Sequence, residues 1–243
     1  MPAHVLMLSS SRVGDEDYLL HAKPLILAHL GPIRDILFVP YAGVTVSWDE
    51  YTEKVQQALP HLNIRGLHTE ANPAEAVSQA IRQDTAMMVG GGNTFNLLHC
   101  LYKLSLIPLL KLAIDGGTPY IGWSAGSNIC GATIRTTNDM PIIEPPSFNA
   151  LDVLPCQLNP HYSDYHPPGF NGETRDQRLR EFTALNPTTA VLAIREGTAL
   201  SLTNNTLTFK GKSGGYVFLG KQKKLLSDGD DLSQYLHSVD DAL

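Results

Sequence analysis

PYIGWSAGSN, residues 119–128, runs from an apolar segment into a serine flanked by glycines, Gly122-Trp123-Ser124-Ala125-Gly126. The spelling G-x-S-x-G is that of a tight strand-to-helix turn that presents a serine hydroxyl above a sheet. Such a turn needs small neighbours, and Ala125, Gly126 and Ser127 supply them. Read this way, a strand over 119–125 feeds a helix whose N–H groups and positive dipole end face developing negative charge. The same residues also describe a serine that only caps that helix.

Working outward, short apolar runs alternate with longer periodic segments. Strands are predicted over 4–10, 35–42, 64–68 and 85–91, and helices over 18–30, 47–59, 73–83, 94–104 and 106–115. Ser47 with Glu50 three residues on has capping-box spacing. Asn72 followed by Pro73 reads as an N-cap and a first helical residue. Alternation of this kind implies a parallel sheet with helices on both faces, and ligands in such sheets bind beyond the carboxyl ends of the strands. After residue 131 the pattern loosens. Residues 132–172 read as loops with short strands, followed by a helix over 173–185 and a strand over 190–197. ALSLTNNTLTFKG, 199–211, reads as a hairpin turning at Asn204-Asn205. With no repeat, linker or low-complexity tract, one domain over 1–243 is expected.

The composition narrows the class. The 243 residues are 43% hydrophobic and 17% charged, enough for a large buried core. A net charge of −6 argues against nucleic acid, which is held by clustered Lys and Arg. The basic run Lys221–Lys224 reads as a solvated turn. Cys100, Cys130 and Cys156 are odd in number and far apart, so neither a disulfide framework nor a zinc site is indicated. The N-terminal run MPAHVLMLSSSR reads as a first strand rather than a signal peptide, and nothing approaches the ~20 apolar residues of a membrane span. The expectation is a cytoplasmic protein that engages neither nucleic acid nor membrane.

VGGGNTF, 89–95, is a second glycine-rich loop between strand and helix. Successive glycines let backbone amides approach a ligand, as an oxyanion hole requires. A phosphate loop or a plain tight turn are the other readings, though the segment lacks the Lys-Ser/Thr of a P-loop and does not fit G-x-G-x-x-G. A serine nucleophile needs a base, and the base an orienting acid. Of nine histidines, His4, His21, His29, His61, His68 and His99 fall in or beside early elements, where solvent-facing or edge positions are expected. His161 and His166 lie in the polar loop of QLNPHYSDYHPPG. His161 is preferred, because Asn159-Pro160 can stiffen its backbone. Candidate acids are Asp139, Glu144, Asp164, Glu173 and Glu196, of which Glu196 stands at the carboxyl end of an apolar strand. The order serine, histidine, acid differs from that of α/β-hydrolases.

Together GGGNTF, GWSAGSN, LNPHYSD, GETRDQR and IREGTAL resemble the peptidase E, or α-aspartyl dipeptidase, family, in order and through nearly the whole chain. The resemblance implies a three-layer α/β sandwich with a mostly parallel central sheet, of the class I glutamine-amidotransferase-like kind. It implies a metal-free, cofactor-free cytoplasmic serine peptidase cleaving dipeptides with an N-terminal L-aspartate. It makes Ser124 the nucleophile, His161 the base and Glu196 the orienting acid, with Asp139 as a competing acid. Amides near Gly91 and Ala125 would form the oxyanion hole. The aspartyl carboxylate calls for an Arg fork, and Arg175 is the candidate, unless it pairs with Asp176 or Glu181 on an exposed helix. Glu173 or Asp139 would take the α-amino group. A cyanophycinase-like hydrolase of β-linked Asp-Arg and a non-catalytic module binding an acidic ligand are the alternatives. Either a monomer or a homodimer fits.

Overall fold

Both faces of the first strand are buried. In the computed structural model, which describes residues 3–169 and 171–237, Val5 and Met7 of β1 (His4–Leu8) enter one apolar cluster and Leu6 and Leu8 another. Alternate residues of a strand point to opposite sides, so the strand needs a cover on each. Met1 and Pro2 of the predicted N-terminal run lie outside the described residues. The same division runs through β2 (Asp35–Val39), β4 (Ala86–Val89) and β5 (Tyr120–Trp123), while β3 (Asn63–Gly66) forms an edge. On one side α1 (Lys23–Leu30) and α2 (Trp48–Ala58) supply Ile26, Leu30, Tyr51 and Val55. On the other, α3 (Pro73–Arg82), α4 (Thr94–Lys103) and α5 (Ile107–Asp115) supply Val77, Leu97, Leu101 and Leu110. A three-layer α/β sandwich results.

The large sheet has the order β3-β2-β4-β5-β1-β8-β9, with β8 (Ala199–Thr203) and β9 (Thr206–Lys210) as the hairpin. The first five of these strands pair in parallel and the hairpin adds antiparallel, so the sheet is mostly parallel as expected. Asn204 and Asn205 have φ of 53° and 58°, the left-handed pair that a two-residue turn of this hand requires. The Ser47–Glu50 capping box and the Asn72 cap form as read from the sequence.

Several expectations are corrected. The strand predicted over 190–197 is β7 (Val191–Ile194), and it lies outside the large sheet. It joins β6 (Gln157–Asn159), β10 (Gly215–Leu219) and β11 (Gln222–Leu226) in a second sheet of order β11-β10-β7-β6. Leu192 and Ile194 on one face of β7 join the larger core, while Val191 and Ala193 on the other cluster with Leu179 of α7 (Arg175–Leu185). Both faces being covered, the apolar run looks the same as a central strand. The basic run is a turn only at its start: Lys221 lies in the turn before β11, whereas Lys223 and Lys224 lie in β11 and Lys223 pairs with Asp176. The first helix starts at Lys23 rather than 18, because Pro24 suits only a first turn and Leu19 bends the chain at φ 59°. The predicted boundaries from 73 to 115 hold within two residues.

His29 is also a correction. Expected at a solvent-facing or edge position, it is buried, edge-on to His4 with ring centroids 3.9 Å apart. Burial, then the neighbouring His4, push its pKa down from 6.5 to about 3. The folded chain therefore holds this proton more weakly than the unfolded chain, and acid favours unfolding. This contribution to stability is intact above pH 6.5 and is lost as pH falls toward 3. Chemical denaturation should show about 2 kcal/mol less stability at pH 5 than at pH 7.5 from this residue. His29→Phe should flatten that acid limb; an unchanged slope would count against it.

Candidate active site

The turn after β5 is built around an unusual backbone. Ser124 sits at φ 53°, ψ −112°, a conformation L-residues avoid at a cost of roughly 1–3 kcal/mol. Its N–H donates to the Leu8 carbonyl (3.1 Å), and its own carbonyl accepts from the N–H groups of Ser127 (3.0 Å) and Asn128 (2.8 Å). The Ser124 side chain makes no capping hydrogen bond to the short helix α6 (Ala125–Asn128), so the helix-cap reading is not what forms. Gly126 passes so close to β4 that a Cβ there would lie 2.1 Å from the Val89 carbonyl oxygen. Only glycine fits. β4 and β5 are neighbours, which sets the loop after β4 beside the serine: a Cβ on Gly91 would lie 2.9 Å from Ser124 Cβ. Among the described residues the N–H groups of Gly91 and Ala125 have no backbone or side-chain acceptor.

Tyr51, buried on α2, ties these two loops together. Its hydroxyl donates to the Gly91 carbonyl (2.9 Å) and accepts from Trp123 Nε1 (3.1 Å), the residue before the serine. Tyr18 extends the group, its hydroxyl 3.2 Å from that of Tyr51. Nothing in the spacing of α2 marks Tyr51 as more than a core residue, and sequence reasoning missed it.

His161 follows β6 and Glu196 follows β7, adjacent parallel strands of the small sheet. His161 Nδ1 lies 2.8 Å from Glu196 Oε1. An ionised carboxylate only accepts, so the proton belongs on Nδ1 and the Nε2 lone pair is left open. The loop is stiff, as Asn159-Pro160 suggested, though by bonds rather than by proline alone. Asn159 Nδ2 donates to Thr136 and Asn138 Nδ2 to the Pro160 carbonyl (2.7 and 2.8 Å). Ser9, at the end of β1, fastens it to the large sheet: its hydroxyl accepts from the His161 N–H (2.9 Å) and donates to the Ile194 carbonyl (2.8 Å).

Ser124 and His161 together line two cavities. The narrow one, 220 Å³, is polar and includes Thr94, Asn128, Asp139 and Arg175; the wide one, 680 Å³, includes Val44, Val46, Lys54 and Ile142. Arg175 is half-buried and, among the described residues, makes no ion pair. The helix-surface alternative, pairing with Asp176 or Glu181, does not form: Asp176 is taken by Arg180, Lys223 and Tyr162. Burial holds the guanidinium pKa below its ordinary value, and the negative charges of Glu196 and Asp139 offset this only in part.

The remaining acids separate. Asp139 accepts from the Thr94 N–H (2.7 Å) and hydroxyl, so it is committed to the start of α4 and to the narrow cavity rather than to His161. Glu173 precedes the capping residue Thr174, is exposed, and sits 3.7 Å from Arg178 rather than in the cavity lining. Asp164 pairs with Arg195. Asn128 and Thr94, which line the narrow cavity, were not singled out as ligand-facing from the sequence. Among the described residues no three His, Cys, Asp or Glu side chains converge in a way that could hold a metal ion. No single described helix is long and apolar enough to cross a membrane.

The model of peptidase family S51 matches residues 5–210, a span that contains Ser124, His161 and Glu196. The chain belongs to peptidase family S51. Among S51 relatives, a protein of Shewanella sp. strain W3-18-1 named peptidase E is 52% identical over 239 residues, covering 97% of this chain and all of its own length. A peptidase E of Shewanella denitrificans strain OS217 is 53% identical over 237 residues, with the same coverage. The crystal structure of a peptidase from an acI-B1 actinobacterium shares the fold, with a TM-score of 0.67 at 17% identity, covering 96% of this chain and 97% of that one. This S51 chain is thus a serine peptidase acting on small peptides, with a class I glutamine-amidotransferase-like fold. Membership favours the hydrolase over the non-catalytic binding module.

Proposed function

We propose that the chain hydrolyses dipeptides with an N-terminal L-aspartate through an acyl-enzyme intermediate, using Ser124, His161 and Glu196. The observation that carries this reading is that His161, hydrogen-bonded to Glu196, lines with Ser124 a narrow polar cavity whose cation, Arg175, makes no ion pair among the described residues. The names of the two Shewanella relatives support it. His161 Nε2 takes the Ser124 proton as Oγ attacks the carbonyl carbon of the aspartyl residue. The amides of Gly91 and Ala125 stabilise the oxyanion, each such donor being worth roughly 10²–10³ in rate. His161 then protonates the leaving amine, and water, deprotonated by the same imidazole, releases aspartate from the serine ester.

Arg175 holds the aspartyl side-chain carboxylate, and Asp139 is the better placed of the two candidates for the α-ammonium, since Glu173 stands outside the cavity. The test is a panel of Asp-Leu, Asn-Leu, Glu-Leu, β-Asp-Leu and β-Asp-Arg. Asp-Leu should have the highest kcat/KM, and Arg175→Met should lower it about 10²-fold while barely changing Asn-Leu, as removal of one partner of a desolvated charge pair does. Preferential cleavage of β-Asp-Arg would replace this reading with the cyanophycinase-like one.

A further inference from the structure

A dipeptide of this class carries two carboxylates, and two cavities meet at Ser124. Apart from His161, the narrow cavity is lined by one basic side chain, Arg175, and the wide cavity by one, Lys54. Neither makes an ion pair among the described residues, whereas Arg65, Arg82, Arg178, Arg180, Arg195 and Lys223 all do. Most of the 18 basic residues likewise make no ion pair among the described residues; what sets these two apart is that they line the cleft at Ser124.

Lys54 is also held in place. Its Nζ stands over the Tyr18 ring, 4.4 Å from the centroid, in cation–π contact. The Tyr18 hydroxyl reaches Tyr51, which bonds to the Gly91 carbonyl. The cation therefore rests on the same aromatic group that fixes the loop beside the nucleophile. Around it Val44 and Ile142, 54% and 52% exposed, and the less exposed Val46 give the wide cavity an apolar wall.

We infer that the wide cavity receives the leaving residue, with Lys54 binding its free α-carboxylate and the Val44, Val46 and Ile142 wall taking an apolar side chain. This rests on the aspartyl-dipeptide reading and extends it. With the acyl half of the substrate in the narrow cavity, the scissile carbonyl at Ser124 directs the amine half toward the other opening. Lys54 then sets where the substrate must end: a free carboxylate one residue past the cut meets the cation, and a blocked one does not.

Kinetics on Asp-Leu and Asp-Leu-amide with the wild type, Lys54→Met and Lys54→Arg tests this. The wild type should prefer the acid about fivefold in kcat/KM, mainly through KM, as expected for one solvated charge contact. Lys54→Met should bring the acid-to-amide ratio to about one, and Lys54→Arg should keep most of the preference. Because the ratio is read within one preparation, a loss of folded protein does not alter it. A wild-type ratio near one, or a Lys54→Met ratio equal to the wild type, would overturn the assignment. Failure of the wild type to cleave either substrate would instead overturn the aspartyl reading, and Lys54's role with it.

Discussion

Ser124→Ala is expected to lower kcat on Asp-Leu by about 10⁶, with Asp-Leu still bound at an affinity within a few-fold of the wild-type KM. The proposed binding groups, Arg175 and Asp139 in the narrow cavity, are untouched by the change. The turn should survive, because its bonds use the Ser124 N–H and carbonyl rather than the hydroxyl. What is lost is the atom that would form the ester, and the next serine in the chain is not free to replace it: Ser127 Oγ is bonded to the Leu8 and Gly122 carbonyls (2.6 and 2.9 Å). Single-turnover kinetics and calorimetric titration of the variant check both halves. Turnover within tenfold of the wild type would remove Ser124 from the reaction.

Glu196→Gln is expected to lower kcat by about 10³–10⁴, short of the serine variant. The carboxylate fixes which imidazole nitrogen carries the proton. A glutamine can turn its NH₂ toward Nδ1, which moves the proton to Nε2 and leaves no lone pair for Ser124. Glu196 is 52% exposed on its side chain, so solvent screens its charge and the tautomer effect carries most of the loss. Adding Glu196→Gln to Ser124→Ala should cost almost nothing more, because residues that act on one proton transfer are not additive. Asp139→Asn should act chiefly on KM, since Asp139 is bonded to Thr94 rather than to the histidine. If Asp139→Asn gave the larger fall in kcat, the two acids would exchange roles.

Local features of this chain were legible because local chemistry decides them. The capping box at Ser47, the cap at Asn72, the turn at Asn204-Asn205 and the elbow at Ser124 each need particular side chains at a fixed spacing, and all are present. His161 and Glu196 could be nominated because each ends an apolar run at a polar loop. Partnership between distant segments was not legible. Val191–Ile194 is buried throughout, and a run buried on both sides carries no record of which sheet it joins. Tyr51 and Lys54 look like the core and solvent positions of an amphipathic helix until α2 is packed against the Gly91 loop. The depth of His29 is likewise set by the strands beneath it, where its ring meets His4 and the backbone of Tyr120.

The single hydroxyl of Ser9 has a wider consequence. Ser124 follows a strand of one sheet, while His161 and Glu196 follow strands of the other. Their separation is therefore a tolerance between two bodies, and Ser9, which grips the backbone of His161 and of Ile194 at once, is the shim in that joint. Evolution of rate in this architecture need not touch a reacting atom. A change of a few tenths of an ångström at the seam would retune the proton transfer, and would carry Arg175, which opens the helix packed on the small sheet, along with it.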